Sequence, residues 1–325
     1  MENKLKAAAE VAIKDCLAVR ISDTVLVITD TLLFDIGKAL FDSAVEHAGD
    51  AAMVVITPRK SHGEEPPEAI AELMKRYDVL VIPTYRSMSH TDARREACRL
   101  GARCATLPNV LEETMVRALN ADYTRIAALS EMLAGFLTEA SEARVKTPAG
   151  TDIVFSLKGR KGLADTGLVR TPGEFSNLPA GEAYTAPVEG SANGNIVIDG
   201  AIADTGVLDE EDYIKVEVEN GYASRIIGGK SAKYLDSLIR PHGKEAYNIA
   251  ELGIGTNYKA KLIGNILEDE KVLGTVHIAL GDNKSMGGNI SVASHLDGIL
   301  LNPCLLYTSD AADELDGVDL GGRRI

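Results

Sequence analysis

Four short apolar runs, each separated from the next by a stretch of helical periodicity, constrain the fold of this chain more than any other feature. They are residues 24–29 (TVLVIT), 53–56 (MVVI), 78–83 (DVLVIP) and 103–107 (RCATL). Helical spacing of apolar residues fills the intervals at residues 34–47, 67–77 and 91–100. A strand that is apolar at consecutive positions is buried on both faces, which is the habit of a parallel sheet covered by helices. Right-handed crossovers then give a small doubly wound α/β layer structure. The turn after the first run reads Thr29-Asp30-Thr31-Leu32 and has neither a GxGxxG nor a GxxxxGK[ST] loop. A nucleotide site is therefore weakly supported, and the expected job of this region is scaffolding, subunit contact or one wall of a site.

A helical stretch is expected over residues 111–139, with Ile126, Leu129, Leu133 and Leu137 as its buried stripe. Near residue 142 the texture changes to short alternating runs rich in Gly, Thr and Val. Residues 152–157, 194–200 and 213–218 read as strands, Glu219-Asn220-Gly221 as a hairpin turn, and residues 231–238 as a helix. The expectation is an α/β domain over residues 1–142 and an α+β, mainly antiparallel, metal-binding catalytic domain over residues 143–303. The segment from Cys304 to Ile325 (CLLYTSDAADELDGVDLGGRRI) resembles translated sequencing-adapter sequence and is expected to be non-native and to pack poorly.

The chain is 325 residues long, 45% hydrophobic and 25% charged, with a formal net charge of −14. That length buries a core without staples, so a metal here is expected to be functional. The negative charge disfavours nucleic acid and anionic lipid as partners. No apolar run is long enough to span a bilayer, and the charged N-terminal helix pattern is no secretory signal. Cys16, Cys98, Cys104 and Cys304 form no C-x-x-C pair and are read as free thiols of a cytoplasmic protein.

Two of the six histidines sit in patterns that suggest chemistry. His277 lies in a strand-like run, residues 274–281 (GTVHIALG). His295 lies in SHLD, where Asp297 follows at i+2 and so points to the same side of an extended segment. Two imidazoles and a carboxylate on neighbouring strands can occupy one face of a metal ion. Glu182 and Glu251 are carboxylates in small or apolar stretches, and burial would make them costly unless paired or metal-bound. His90 is expected either to cap the helix that follows it or to reach a substrate. His47, His62 and His242 read as ordinary surface or helix-end residues.

The stretches PGEFSNLPAGEAYTAP, AELGIGTN, LEDEKVLGTVHIALGDN and SHLD, together with TYRSMSHTDARREACRLGAR, resemble the metallo-aminopeptidases of the aminopeptidase T/S type in content and order. The same superfamily includes 2,5-dihydroxypyridine dioxygenase, a mononuclear-iron ring-cleaving enzyme. The resemblance implies that Glu182, Glu251, His277, His295 and Asp297 bind one or two divalent ions (Zn, Co or Mn) and that Glu251 bridges them. It implies a small peptide substrate, Glu182 or Glu251 as the proton shuttle, and a homo-oligomer, expected as a dimer. The peptidases carry a Tyr several residues beyond the first His; here Gly281-Asp282-Asn283-Lys284-Ser285 has none, and the interval to His295 is short. The expected activity is a metallo-aminopeptidase. The alternative is an Fe(II) dioxygenase built on His277, His295 and Asp297, with Lys284 or His90 orienting an anionic ring.

Overall fold

The structure is a computed structural model that describes residues 2–203, 205–309, 312–319 and 323–324. It divides into two compact units, Met1–Ala127 with Asp165–Ala180, and Ala128–Ala164 with Gly181–Ile325. The sequence suggested one cut near residue 142. Instead the chain leaves the first unit within a helix, returns for sixteen residues and leaves again.

The strands in chain order are β1 (Thr24–Asp30), β2 (Asp50–Ile56), β3 (Val79–Ile82), β4 (Arg103–Thr106), β5 (Ala140–Lys146), β6 (Asp152–Ser156), β7 (Leu163–Asp165), β8 (Phe175–Asn177), β9 (Glu182–Thr185) and β10 (Asn193–Ile198). There follow β11 (Ala201–Ile202), β12 (Gly206–Val207), β13 (Ile214–Glu219), β14 (Tyr222–Gly228), β15 (Ile249–Gly255), β16 (Val276–Gly281), β17 (His295–Leu300), β18 (Cys304–Ser309), β19 (Ala312–Asp319) and β20 (Arg323–Arg324).

The first unit holds a five-stranded parallel sheet in the order β2-β1-β3-β4-β8, with helices Phe34–His47, Glu68–Met74 and Asp92–Arg99 in its crossovers. The four apolar runs form β1 to β4, and β3 and β4 are buried at every position. The fifth strand, β8, comes from the returning segment. The turn after β1 is closed by Asp30, whose carboxylate accepts backbone N–H groups from Leu32 at 2.9 Å, Leu33 at 3.2 Å and Tyr85 at 2.6 Å. A phosphate-binding loop would present free N–H groups there; this one already satisfies them with a carboxylate. The cap of helix Asp92–Arg99 is Thr91, which accepts from Arg94 N; His90 stands exposed in the turn before it.

The long helical stretch expected over residues 111–139 is two pieces. A short helical segment ends at Leu119, and Asp122 then starts the helix Tyr123–Glu139 by accepting from Thr124 N and Arg125 N. The apolar period runs through this break, because the period does not register a capping carboxylate.

In the second unit an eight-stranded sheet (β14-β13-β10-β6-β5-β18-β19-β20) and a seven-stranded sheet (β12-β11-β17-β16-β15-β9-β7) enclose one core. Phe155, Ile196 and Val216 meet Leu252, Ile254, Val276, Ile278 and Leu300 there. The segment expected to pack poorly contributes to this core. β18 pairs with β5 from Cys304↔Lys146 onward, Leu305 is buried, and Tyr307 stacks on Phe136 with ring centroids 5.7 Å apart. The physical reason is alternation: Leu305 and Tyr307 share one face of a strand that finds an open sheet edge. Residues 310–311, 320–322 and 325 of that segment lie outside the described residues. All four cysteines are free, and among the described residues no helix is long and apolar enough to cross a membrane.

Candidate metal centre

The period of two along β9, β15, β16 and β17 sorts their side chains onto two faces. Ala183, Leu252, Ile254, Val276, Ile278, Leu280 and Leu300 enter the core. The intervening residues, Glu182, Glu251, Gly253, Gly255, His277, Ala279, Gly281, His295 and Asp297, must lie on the opposite face. The register then gives every donor a small neighbour across the ladder. Glu182 pairs with Gly255, His277 with Gly253, Glu251 and Asp297 with Ala279, and His295 with Gly281.

The small residues create the space that the donors fill. A Cβ placed on Gly253 would lie 1.8 Å from His277 Nε2, so the imidazole rests directly on the Gly253 backbone. At Gly255 a Cβ would meet the carbonyl oxygen of Val272 at 2.1 Å, because the chain at residues 271–272 crosses over β15 at that point.

Five side chains from four strands converge on this face. His277 Nε2 lies 3.3 Å from Glu182 Oε2 and 3.4 Å from Glu251 Oε1. His295 Nε2 lies 3.0 Å from Glu251 Oε2 and 3.5 Å from Asp297 Oδ1. The donors form two sets, Glu182/Glu251/His277 and Glu251/His295/Asp297, each with its ligand atoms within 4.8 Å of one another. Glu251 belongs to both. The first set is buried, with His277 1% exposed; the second opens outward at His295, whose side chain is 31% exposed.

The electrostatics of the bare cluster are set by carboxylates and cations that hold one another in charged form. Burial opposes ionisation of Glu182, but Lys271 and His277 outweigh it and hold its pKa below the usual value. Burial likewise opposes the charge on Glu251, and His277 and His295 override it. Dehydration disfavours the imidazolium of His277, yet Glu182 and Glu251 raise its pKa well above the usual value. The ring nitrogen of His295 is dehydrated although its edge is exposed, and Asp297 and Glu251 raise its pKa in the same way. Without a metal, protons on the imidazoles balance the carboxylates; a divalent ion would displace them.

Two observations test whether the residues fit such an ion. Both ring nitrogens of His277 are buried and make no hydrogen bond, a costly condition that a ligating Nε2 would relieve. His295 Nδ1 donates to the carbonyl of Asp282 at 2.8 Å, which leaves Nε2 unprotonated in the neutral ring and aimed at Glu251 and Asp297. The donor set of two imidazoles and three carboxylates suits Zn, Mn, Co or Fe(II).

Two expected site residues belong to neither donor set. His90 belongs to the first unit, and Lys284, itself exposed, begins the 3-10 turn Lys284–Met286, whose Met286 is buried. Two residues of the cluster went unread in the sequence. Lys271 is 1% exposed and places Nζ 2.7 Å from Glu182 Oε1 and 2.5 Å from Glu270 Oε1. Burial, with Glu182 and Asp297 nearby, pushes the Glu270 carboxyl up to about 8 even against Lys271. In LEDEKVL these look like solvated charges of a helix end; only the close approach at Gly255 turns them inward.

Comparison with known proteins places this geometry in context. The family model described as 2,5-dihydroxypyridine 5,6-dioxygenase matches residues 18–313, a span that includes all five donors. The 2,5-dihydroxypyridine 5,6-dioxygenase of Pseudomonas putida is 29% identical over 195 residues, 56% of this chain and 55% of that protein, so the match spans about half of each. Among solved structures, 2,5-dihydroxypyridine dioxygenase from Pseudomonas putida KT2440 superposes with a TM-score of 0.78 at 20% identity, covering 94% of both chains. Wild-type AmpT from Thermus thermophilus superposes with a TM-score of 0.68 at 17% identity, covering 99% of this chain and 97% of that one. At these identities the two superpositions establish a shared fold.

Proposed function

The chain belongs to the 2,5-dihydroxypyridine 5,6-dioxygenase family, and on that premise we propose that it is a metal-dependent dioxygenase that opens the ring of a small hydroxylated heteroaromatic compound. The supporting observation is the lopsided donor cluster, sealed at Glu182 and His277 and open at His295. Side chains that hold an ion from one side leave positions free on the other for substrate and oxygen. Sequence alone ranked an aminopeptidase first despite the Tyr-less stretch after His277; the family match adds support to the dioxygenase reading.

When bound, a ferrous ion supplies the activation of dioxygen and a docking point for ring hydroxyls. The protein's own residues do the rest. Glu251 and Asp297 supply negative charge beside His295, and the Asp282 carbonyl keeps that imidazole from turning. His277 is fixed against Gly253 in a dehydrated pocket. Lys284, exposed and in the same unit as the donors, is proposed to orient an anionic ring. We further take the acidic chain to act on a small molecule in the cytoplasm as a homodimer, which sedimentation would check.

One assay pair tests the reading. Protein purified without oxygen and loaded with Fe(II) is expected to consume oxygen on 2,5-dihydroxypyridine, and His277→Ala to abolish this. Absence of uptake, with cleavage of amino-acyl chromogenic amides under cobalt or zinc, would sink it. That second outcome belongs to the aminopeptidase reading, which the sharing of Glu251 between two donor sets favours. In it, Glu182 or Glu251 would carry the proton from an attacking water to the departing amine.

A further inference from the structure

We propose that Cys98 and Cys104 form a peroxide-reactive dithiol in the first unit, with Cys98 as the attacking sulfur and Cys104 as the sulfur that resolves it into a disulfide. The proposal is independent of the metal centre and needs no ion.

The chain brings the two sulfurs together across a short reversal. Cys98 lies in the last turn of helix Asp92–Arg99, and Cys104 lies in β4. Gly101, at a φ of 111°, turns the chain between them; its N–H donates to Cys98 O at 2.9 Å, and Ala102 N donates to Ala97 O at 3.0 Å. The Glu174 carbonyl ties the two residues to one spot: it accepts from Cys104 N at 3.0 Å and lies 4.0 Å from Cys98 Sγ. The Cys104 S–H in turn donates to the Cys98 sulfur. Arg94, four residues before Cys98 on the same helix, completes the cluster. Its guanidinium carbon lies 4.0 Å from the ring centroid of Phe175, the ladder partner of Cys104, and its Nε is anchored on Ser89 O at 2.8 Å.

A buried thiol is ordinarily inert, because apolar surroundings disfavour the thiolate. Cys16 behaves so: burial pushes its pKa well above the usual value, and no second thiol acts on it. Cys98 differs. The Cys104 S–H and the Arg94 guanidinium outweigh burial and lower the Cys98 thiol to about 7. Burial pushes Cys104 well above the usual value, so it keeps its proton. Cys98 also retains 6% exposure, whereas Cys104 has none. A readily ionised thiol beside a protonated one is the arrangement of an attacking and a resolving cysteine.

Hydrogen peroxide supplies the oxidising equivalents. The Cys98 thiolate attacks one peroxide oxygen; an S–O bond forms, the O–O bond breaks, and the departing hydroxide takes a solvent proton to become water. Cys98 is left as a sulfenic acid. The Cys104 sulfur then attacks the Cys98 sulfur; the S–S bond forms, the S–O bond breaks, and the Cys104 proton leaves with the hydroxide as a second water. Two thiols and one peroxide thus give one disulfide and two waters.

Peptide mapping tests this. The full chain, reduced, freed of reductant and kept in EDTA, is treated with equimolar hydrogen peroxide, alkylated in denaturant and digested with trypsin. Cleavage after Arg95, Arg99, Arg103 and Arg117 puts the two sulfurs on separate peptides, 96–99 and 104–117. These should appear linked, and dithiothreitol should part them. Cys104→Ser should lose the link and accumulate a sulfenic acid on Cys98 that dimedone captures; Cys104→Ala replaces it if the serine variant fails to fold. Cys98→Ser should leave Cys104 fully alkylated. Both peptides alkylated and unlinked in the peroxide-treated wild type, or a sulfinic acid on Cys98 beside an intact Cys104, would overturn the proposal. Oxidation of Cys104 in a folded Cys98→Ser variant would overturn the assigned roles.

Discussion

Two groups of buried polar side chains in this molecule are treated in opposite ways. At the carboxyl ends of the parallel strands, Asp30 is saturated by three backbone N–H groups. Close by, Ser89 Oγ links Thr106 Oγ1 at 2.7 Å and Asn177 Oδ1 at 2.9 Å. On the outer face of the seven-stranded sheet, Glu182, Glu251 and Asp297 are drawn together against their mutual repulsion, and His277 is buried with neither ring nitrogen bonded. A closed polar network stabilises a fold by itself. A cluster whose carboxylates are balanced by imidazole protons can exchange those protons for a bound ion. The contrast marks the second group as one that could take up a cation, without reference to any relative.

The sharpest way to break the contrast is Gly253→Ala. The new methyl would occupy the place of His277 Nε2. Metal affinity should fall by on the order of 100-fold or more, as for displaced ligands and their supports, read by competition with a chromophoric chelator. Retained affinity would mean that His277 is no ligand.

Next in size is Arg103→Met in the first unit. It strands Asp23, whose carboxylate lies 2.5 Å from the Arg103 guanidinium in a largely buried pair. Breaking such a pair costs about 3 kcal/mol, measurable by urea denaturation, and metal content should be unchanged. A loss of metal here would blur the distinction between the two regions.

A pH series sharpens it. In the metal-free protein the raised pKa values of His277 and His295 contribute stability that is fully present below the ordinary imidazole value and lost as pH rises through the raised values. Divalent ions displace the same protons, so their stabilisation grows over that window. From about pH 6.5 upward, the Tm increment given by excess metal should widen; a flat increment would exclude the two imidazoles as ligands. The smallest effect is expected from Ser89→Ala, roughly 1 kcal/mol for its hydrogen bonds, with no change in the metal increment.

The parallel sheet was legible because continuous apolar runs carry their own signature. The convergence of Glu182, Glu251, His277, His295 and Asp297 was legible in part because His277 and the His295–Asp297 pair stand in strand-like segments beside glycines. The rhythm of that face is visible in hindsight: Glu251-Leu252-Gly253-Ile254-Gly255 and His277-Ile278-Ala279-Leu280-Gly281 alternate donor or small residue with core apolar residue. Lys271 and Glu270 were not legible, since nothing local distinguishes a solvated LEDEK from one carried over a sheet. The return of residues 165–180 to the first unit was also invisible, because β8 (FSN) has too little apolar character to register as a strand. Leu305 and Tyr307 alternate as a strand should, yet their likeness to an adapter sequence obscured it.

That returning segment bears on any attempt at dissection. A fragment ending near residue 142 would omit β8, which pairs with β4 from Cys104↔Phe175 to Thr106↔Asn177. It would display β4 as a bare edge, and unpaired edges of apolar parallel strands invite self-association. Excision of the first unit as a continuous piece should therefore give aggregates, and a soluble version would require residues 165–180 to be grafted back by a linker.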